Sequence, residues 1–284
     1  MKKILLLALV SIATNTFAQT LVFQNGQKLE VTTQIQKNSS LEIMGQAIES
    51  KVTATLNEIF DVKTAESNAI TLEHKVKRLV FNAESMQGGQ SFDSEKEGDR
   101  KGQFGKMLEK TLKNKYTVTL DGTGKVTAVK LDDDNPRGKE EADALVDMLA
   151  IQTGLNLAAP KAGDPSEFKI LQNREVKQGE TWKETSASPI GKTTTNYTVK
   201  SVTDTEINLD FTEETLINGT QQVMGTEAAM NGVSKSTGTA VVDKATGILK
   251  TKTANIDSDI TIGAQGMTMP VKEKATRTVT VKPA

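Results

Sequence analysis

Apolar and polar residues alternate with a period of two over most of this chain, the pattern of strands buried on one face only. Leu29, Val31, Thr33 and Ile35 share one side of the stretch 28–35, and Val52, Ala54, Leu56, Glu58 and Phe60 do the same within 51–62. In 69–81, Ile70, Leu72, His74, Val76 and Arg78 fall on one side. Leu79 and Phe81 fall on the other, with Thr71, Glu73, Lys75 and Lys77. The stretches 192–202, 206–216, 241–254 and 273–282 resume the pattern. Strands with one apolar and one wet face predict antiparallel sheet. Turn chemistry separates them: Asn25-Gly26 is a hairpin-type pair, and Asp121-Gly122-Thr123-Gly124 stands between Val118 and Leu120 on one side and Val126 and Val129 on the other. Thr239 to Thr251 repeats that design around Asp243 and Gly247.

Two segments break the alternation. Residues 100–114 place Phe104, Met107, Leu108 and Leu112 on one helical stripe, with Gly102 and Gly105 weakening its start. Residues 138–154 place Ala142, Leu145, Val146, Leu149 and Ala150 on one face, with acidic residues in the first turn, where the helix dipole favours them. Residues 158–166 are rich in proline, glycine and small side chains and read as a connection. The chain on either side shows an internal echo. Gly26-Gln27-Lys28-Leu29 resembles Gly179-Glu180-Thr181-Trp182, Lys51 to Leu56 resembles Lys192 to Tyr197, and Asn68 to Glu73 resembles Glu206 to Asp210. The spacing drifts, so a diverged duplication and one large sheet reusing similar hairpins both remain. The expected organisation is 1–18 as a signal peptide, 19–157 as a β-meander half with two helices and 167–284 as a second β-meander half, either separate or as one continuous domain with the first.

The signal peptide rests on order: Lys2 and Lys3, then apolar residues from Ile4 to Ala13, then Thr16-Phe17-Ala18 before a cut at Gln19. The apolar run falls short of the roughly 20 residues that span a bilayer, and no later run reaches that length. The mature chain is therefore expected to be soluble and exported, periplasmic or else extracellular. With 0 cysteines it carries no disulfide and no lipid-attachment thiol. A net charge of −1 offers no basic excess for nucleic acid. Aromatic residues are only 4% of the chain, while threonine recurs beside valine, isoleucine and leucine, which is strand chemistry.

Candidate chemistry is sparse. His74 is the 1 histidine, without a cysteine partner or a nucleophile-elbow serine, and reads as a structural or surface histidine. Asp132-Asp133-Asp134-Asn135 lacks the glycine and final glutamate of a calcium loop and suits helix capping. Met267 and Met269 flank Thr268 and point the same way on a strand, with Met224 and Met230 elsewhere in the same half. Paired thioethers can bind cuprous copper, fill core gaps or line an adaptable pocket, and gap-filling is the favoured reading. Trp182 opens a strand and anchors a core edge. No phosphate-binding glycine loop and no acid–base carboxylate pair stands out. No metal, cofactor or catalytic residue is expected.

The order of a Phe23…Gly26-Gln27-Lys28-Leu29 opening, an Ile43-Met44-Gly45-Gln46 turn, the strand through Ile70 to His74, Ser91-Phe92-Asp93-Ser94, a short helix and the Asp121 hairpin resembles a family of exported Gram-negative bacterial proteins, roughly 300 residues long and of unknown function. The resemblance carries over no catalytic residue. A weaker, architectural resemblance is to the periplasmic lipoprotein carriers, whose curved half-barrel cups helices and holds lipid. The expectation is a mainly β protein of strongly curved antiparallel sheet, half-barrel-like, with two short helices on the concave side. The leading functional reading is a non-enzymatic envelope protein holding lipid or another apolar small molecule between sheet and helices, lined by Met107, Leu108, Leu145, Leu149, Met224, Met267 and Met269. The alternative is a structural or protein-interaction module of the periplasm or cell surface. An enzyme ranks third, to be revived by His74 paired with an acid or by convergent carboxylates in a cleft.

Overall fold

The computed structural model describes residues 21–284 apart from 44, 67, 87, 114, 133–148, 172–175, 189, 224–225 and 265. The expected signal peptide and most of the helix at 138–153 therefore lie outside the described residues. The alternating stretches become β1 (Lys28–Ile43), β2 (Gln46–Glu66), β3 (Ala69–Ser85) and β4 (Gly88–Asp93). Helices α1 (Glu97–Lys101) and α2 (Gln103–Lys113) follow, then β5 (Lys115–Leu120) and β6 (Val126–Leu131). The remainder is β7 (Thr181–Ser188), β8 (Gly191–Val202), β9 (Glu206–Val223), β10 (Thr226–Asp243), β11 (Leu249–Ala264) and β12 (Met267–Pro283). All pair antiparallel in one 12-stranded sheet along the open path β6-β5-β3-β2-β1-β12-β11-β10-β9-β8-β7, with β4 also paired to β3. The first and last strands are thus neighbours in the middle of the sheet, and β6 and β7 are its ends.

A bulge decides which side chains reach the core. Asn57 pairs with Arg78 and Glu58 with Val76, which leaves Lys77 without an opposite residue. One extra residue switches the side-chain phase. Ile70 and Leu72 before it and Leu79 and Phe81 after it therefore all lie buried on the same face, not on opposite sides as strict alternation predicts. Lys77 turns outward, and its Nζ donates to Glu30 Oε2 at 3.1 Å. Glu30 also accepts from Asn57 at 2.9 Å, and these two bonds hold its carboxyl below the usual carboxylate range.

β4 and β5 share one edge of β3, against Val80–Ser85 and Ile70–Lys75 respectively, and α1 and α2 bridge between them. The expected single helix is broken at Gly102. Gly105 sits so close to α1 that a Cβ there would lie 2.1 Å from the Asp99 carbonyl oxygen, so the second glycine packs the two helices together. Leu108 is fully buried against Leu79, Phe81 and Phe92, and Phe104 and Leu112 pack beside it. Leu149, Leu155 and Ile35 complete this smaller core. Arg78 anchors the segment with two bonds to Asp93, at 3.2 and 2.8 Å, and that hydrogen bonding keeps the Asp93 carboxyl below its ordinary value.

The larger core joins both halves, from Leu29, Val62 and Leu72 to Val199, Leu209 and Val242. Three local expectations change. Asn25-Gly26 forms a turn, but residues 21–24 pair with no strand; Leu21 and Phe23 are buried instead, and Val22 N bonds Thr246 O at 2.8 Å. The stretch 241–254 is divided, because Asp243 ends β10 and its Oδ1 accepts from Thr246 N at 2.8 Å. The connection at 158–166 is not a loose linker: Gly163 N and Asp164 O bond both backbone groups of Val126, covering the outer edge of β6.

The echo recurs as geometry. Gly26 N donates to Val62 O at 2.9 Å and Val62 N to Gln27 O at 2.8 Å. Gly179 N donates to Val199 O, and Val199 N to Glu180 O, both at 2.8 Å. Both glycines hold positive φ, 76° and 82°. This register makes Phe60 the counterpart of Tyr197, where sequence matching had set Leu56 against it. It also makes His74 the counterpart of Phe211, since Phe60 pairs with His74 and Tyr197 with Phe211.

Candidate functional site

The core face is not apolar throughout. Ser50, Ser39, Glu273, Ser258, Ser234, Thr215 and Thr193 stand opposite one another in successive strands from β2 across β1, β12, β11, β10 and β9 to β8. All sit in the phase that elsewhere carries the core. The hydroxyls satisfy one another in pairs: Ser39 with Ser50 at 2.7 Å, Ser234 with Ser258 at 2.8 Å, Thr193 with Thr215 at 2.9 Å. Such pairing removes most of the penalty for burying hydroxyls. One row deeper, Glu213 accepts from Thr195 at 3.1 Å and Ser236 at 3.4 Å. Glu213 and Glu184 add to the effect of burial in raising the Tyr197 phenol, which stays neutral.

Beyond the belt the wall turns apolar again, and there it lines a half-open cavity of about 670 Å³. Leu41, Ile48, Met230, Ile260, Ile262 and Val271 line it, and Ile151 and Gln152 cover it. Lys37 lies at its polar side, buried, with Nζ donating to Ile151 O at 2.8 Å and 3.4 Å from a Glu273 carboxylate oxygen. Glu84 also stands in the lining, so the site offers apolar walls, a paired lysine and glutamate, a further carboxylate at its edge and a row of hydroxyls. Those groups suit a ligand with hydrocarbon and a hydrogen-bonding end. A smaller cavity of about 290 Å³ lies between residues 155–168 and the sheet, with Glu58, Asp164, Glu167 and Arg277 in its lining.

The five described residues among the seven expected to line a ligand are not in the lining of this cavity. Leu108 and Leu149 are core side chains, Met107 is 54% exposed on the far side of α2, and Met267 is 49% exposed. Met269 is half-buried opposite Ile262, at the margin of the large cavity. Leu145 and Met224 lie outside the described residues, as do Asp133, Asp134 and Asn135. The signal that sequence reading missed is the serine and threonine belt, which is visible as polar residues in the buried phase of long strands.

His74 does meet an acid. Its Nε2 lies 2.8 Å from Glu58 Oε1. The ring is 3% exposed, stacked on Tyr116 at 4.1 Å and tilted against Phe60 at 4.9 Å. Both faces are closed to a substrate, and the counterpart in the other half is a phenylalanine. Histidine here fills an aromatic core position and ties β2 to β3. Among the described residues no group of three or more His, Cys, Asp or Glu could hold a metal ion, and no helix is long and apolar enough to cross a membrane.

Fold and cavity define an open, antiparallel β-sheet protein whose core face is only partly filled by its own side chains. The sequence places it more narrowly: the chain belongs to a family described as "Family of unknown function (DUF6263)", whose model matches residues 67–134 and 161–249. No curated protein matches it. Among solved structures it is similar to one described as lipid–protein interactions in lipovitellin, at TM-score 0.51 and 10% identity, covering 92% of this chain and 26% of that one. It also aligns with an outer-membrane channel from Pseudomonas putida F1 at TM-score 0.26 and 9% identity, covering 92% and 97%. The chain thus spans about a quarter of the lipovitellin chain it matches.

Proposed function

We propose that this is a non-enzymatic, exported envelope protein whose sheet curves as a half-barrel around an apolar ligand, a lipid held in the large cavity beneath Ile151 and Gln152. The observation that carries the reading is the cavity itself. A volume of about 670 Å³ falls within the roughly 300–1,000 Å³ usual for small-molecule sites, and hydrocarbon walls end in hydroxyls and a paired lysine and glutamate. Similarity of fold to a lipovitellin structure concerned with lipid–protein interactions supports it. The test is organic extraction of protein purified from its own envelope, followed by mass spectrometry. About one lipid per chain is expected, and Ile260→Trp, which fills the cavity, should reduce recovery without lowering the melting temperature. Lipid-free wild-type protein would sink the reading.

A second reading, a protein-interaction module, has one observation in its favour. Among the described residues β7 pairs with no strand other than β8, and an end strand of an open sheet is where a partner's strand can be added.

A further inference from the structure

The meander sends its hairpin links alternately to two ends of the sheet, and the ends differ. Links β1–β2, β3–β4, β7–β8, β9–β10 and β11–β12 all lie at the end where the large cavity opens. Residues 43–48, 85–92, 186–191, 215–226 and 260–271, which hold these links, contain no Asp, Glu, Lys or Arg, although charged residues make up 25% of the chain. The opposite end carries Asp121, Asp204 and Asp243 in or beside its turns. At the uncharged end Met86 is 82% exposed and Met267 49% exposed. Both side chains are apolar and stand within uncharged links, Met86 between β3 and β4 and Met267 at the start of β12. The rim is continuous with the cavity: Met269 pairs with Ile262, and Met267 with Ala264 beyond it.

We propose that this methionine-bearing end is the surface by which the protein docks on a zwitterionic lipid bilayer, with the cavity mouth facing the membrane. Thioethers are flexible and apolar and fit the irregular boundary between headgroups and acyl chains. The nearest charges are Glu42, Glu84, Lys192 and Glu227, which present no basic cluster to an anionic headgroup. The outward strand faces stay charged, with Asp257, Asp259, Lys272 and Lys274, which confines contact to the tips. The proposal rests on the lipid reading only for what the docked cavity exchanges; docking itself stands separately.

Flotation of the mature, exported protein with phosphatidylcholine vesicles tests it, at about 50 mM and about 500 mM salt. Wild type should float at both. The M86E/M267E double variant should lose at least about tenfold in partitioning, with an unchanged melting temperature, while M86L/M267L and the opposite-end variant T205E should float like wild type. Absence of wild-type flotation, equal flotation of M86E/M267E, or binding abolished by salt would each overturn the docking surface. Lipid extracted from a protein that never floats would leave the cavity reading standing and remove the rim. Flotation of a protein that yields no lipid would do the reverse.

Discussion

At the scale of single residues, His74 shows how much a chemical label depends on its surroundings. A buried histidine hydrogen-bonded to a carboxylate suggests acid–base chemistry until the rings of Phe60 and Tyr116 are seen to close both faces. The repeat makes the test sharp. His74→Phe reproduces the other half's Phe211 but strands Glu58 without its partner. It should cost about 1–3 kcal/mol. Adding Glu58→Leu should return most of that loss, measured as urea midpoints of the single and double variants. The core-side position of His74 was legible in the sequence from its phase with Ile70, Leu72 and Val76; its partner was not, because Glu58 faces it only through strand register. The hydroxyl belt was equally unread. Ser39, Ser234 and Ser258 look like ordinary breaks in alternation until pairing aligns them across the sheet.

At the scale of elements, periodicity and turn residues located β1, β2, β3, β5, β6, β8, β9 and β12 but left β4 and most of β10 unread, and the structure adds what changes phase inside the strands. The bulge at Lys77 is the clearest case. Its trace lies in the sequence as an apolar series that swaps sides between Val76 and Leu79. An alternation rule reads that as two conflicting faces, because it has no term for an extra residue. Deleting Lys77 should force either Ile70 and Leu72 or Leu79 and Phe81 out of the core. A loss of more than about 4 kcal/mol, or no folded protein, is expected. Lys77→Ala keeps the bulge and loses only the bond to Glu30, so it should cost no more than about 1 kcal/mol. Equal effects of deletion and substitution in denaturant melts would refute this account. The helix over 100–114 failed in part for a related reason. Gly102 and Gly105 were read as weak helix formers, whereas one breaks the helix and the other allows α1 to approach α2.

For the whole molecule, the pairing of β1 with β12 matters most, and no local pattern announces it. Each strand's alternation is satisfied by any antiparallel neighbour of matching phase, so sequence periodicity leaves the order of strands open. Thirteen registered positions, from Leu29 opposite Pro283 to Leu41 opposite Val271, join the two halves at the centre of the sheet. Removing β12 should therefore abolish cooperative unfolding of the entire chain, not only of its second half. A truncated protein that still melted in one sharp transition would show the halves to be independent. Contacts between such distant residues also make refolding slow, in the millisecond-to-second range or beyond.

Of the described strands, a chain synthesised from its N-terminus makes β1 first and its central partner β12 last. Until β12 emerges, β1 keeps one open edge, and the larger core cannot close around Val279 and Val281. The joint at β1 and β12 therefore sets when the sheet can shut. A product cut short before β12 exposes unpaired edges at the middle of the sheet, where proteases and chaperones act, and only a chain that has reached β12 can hide them.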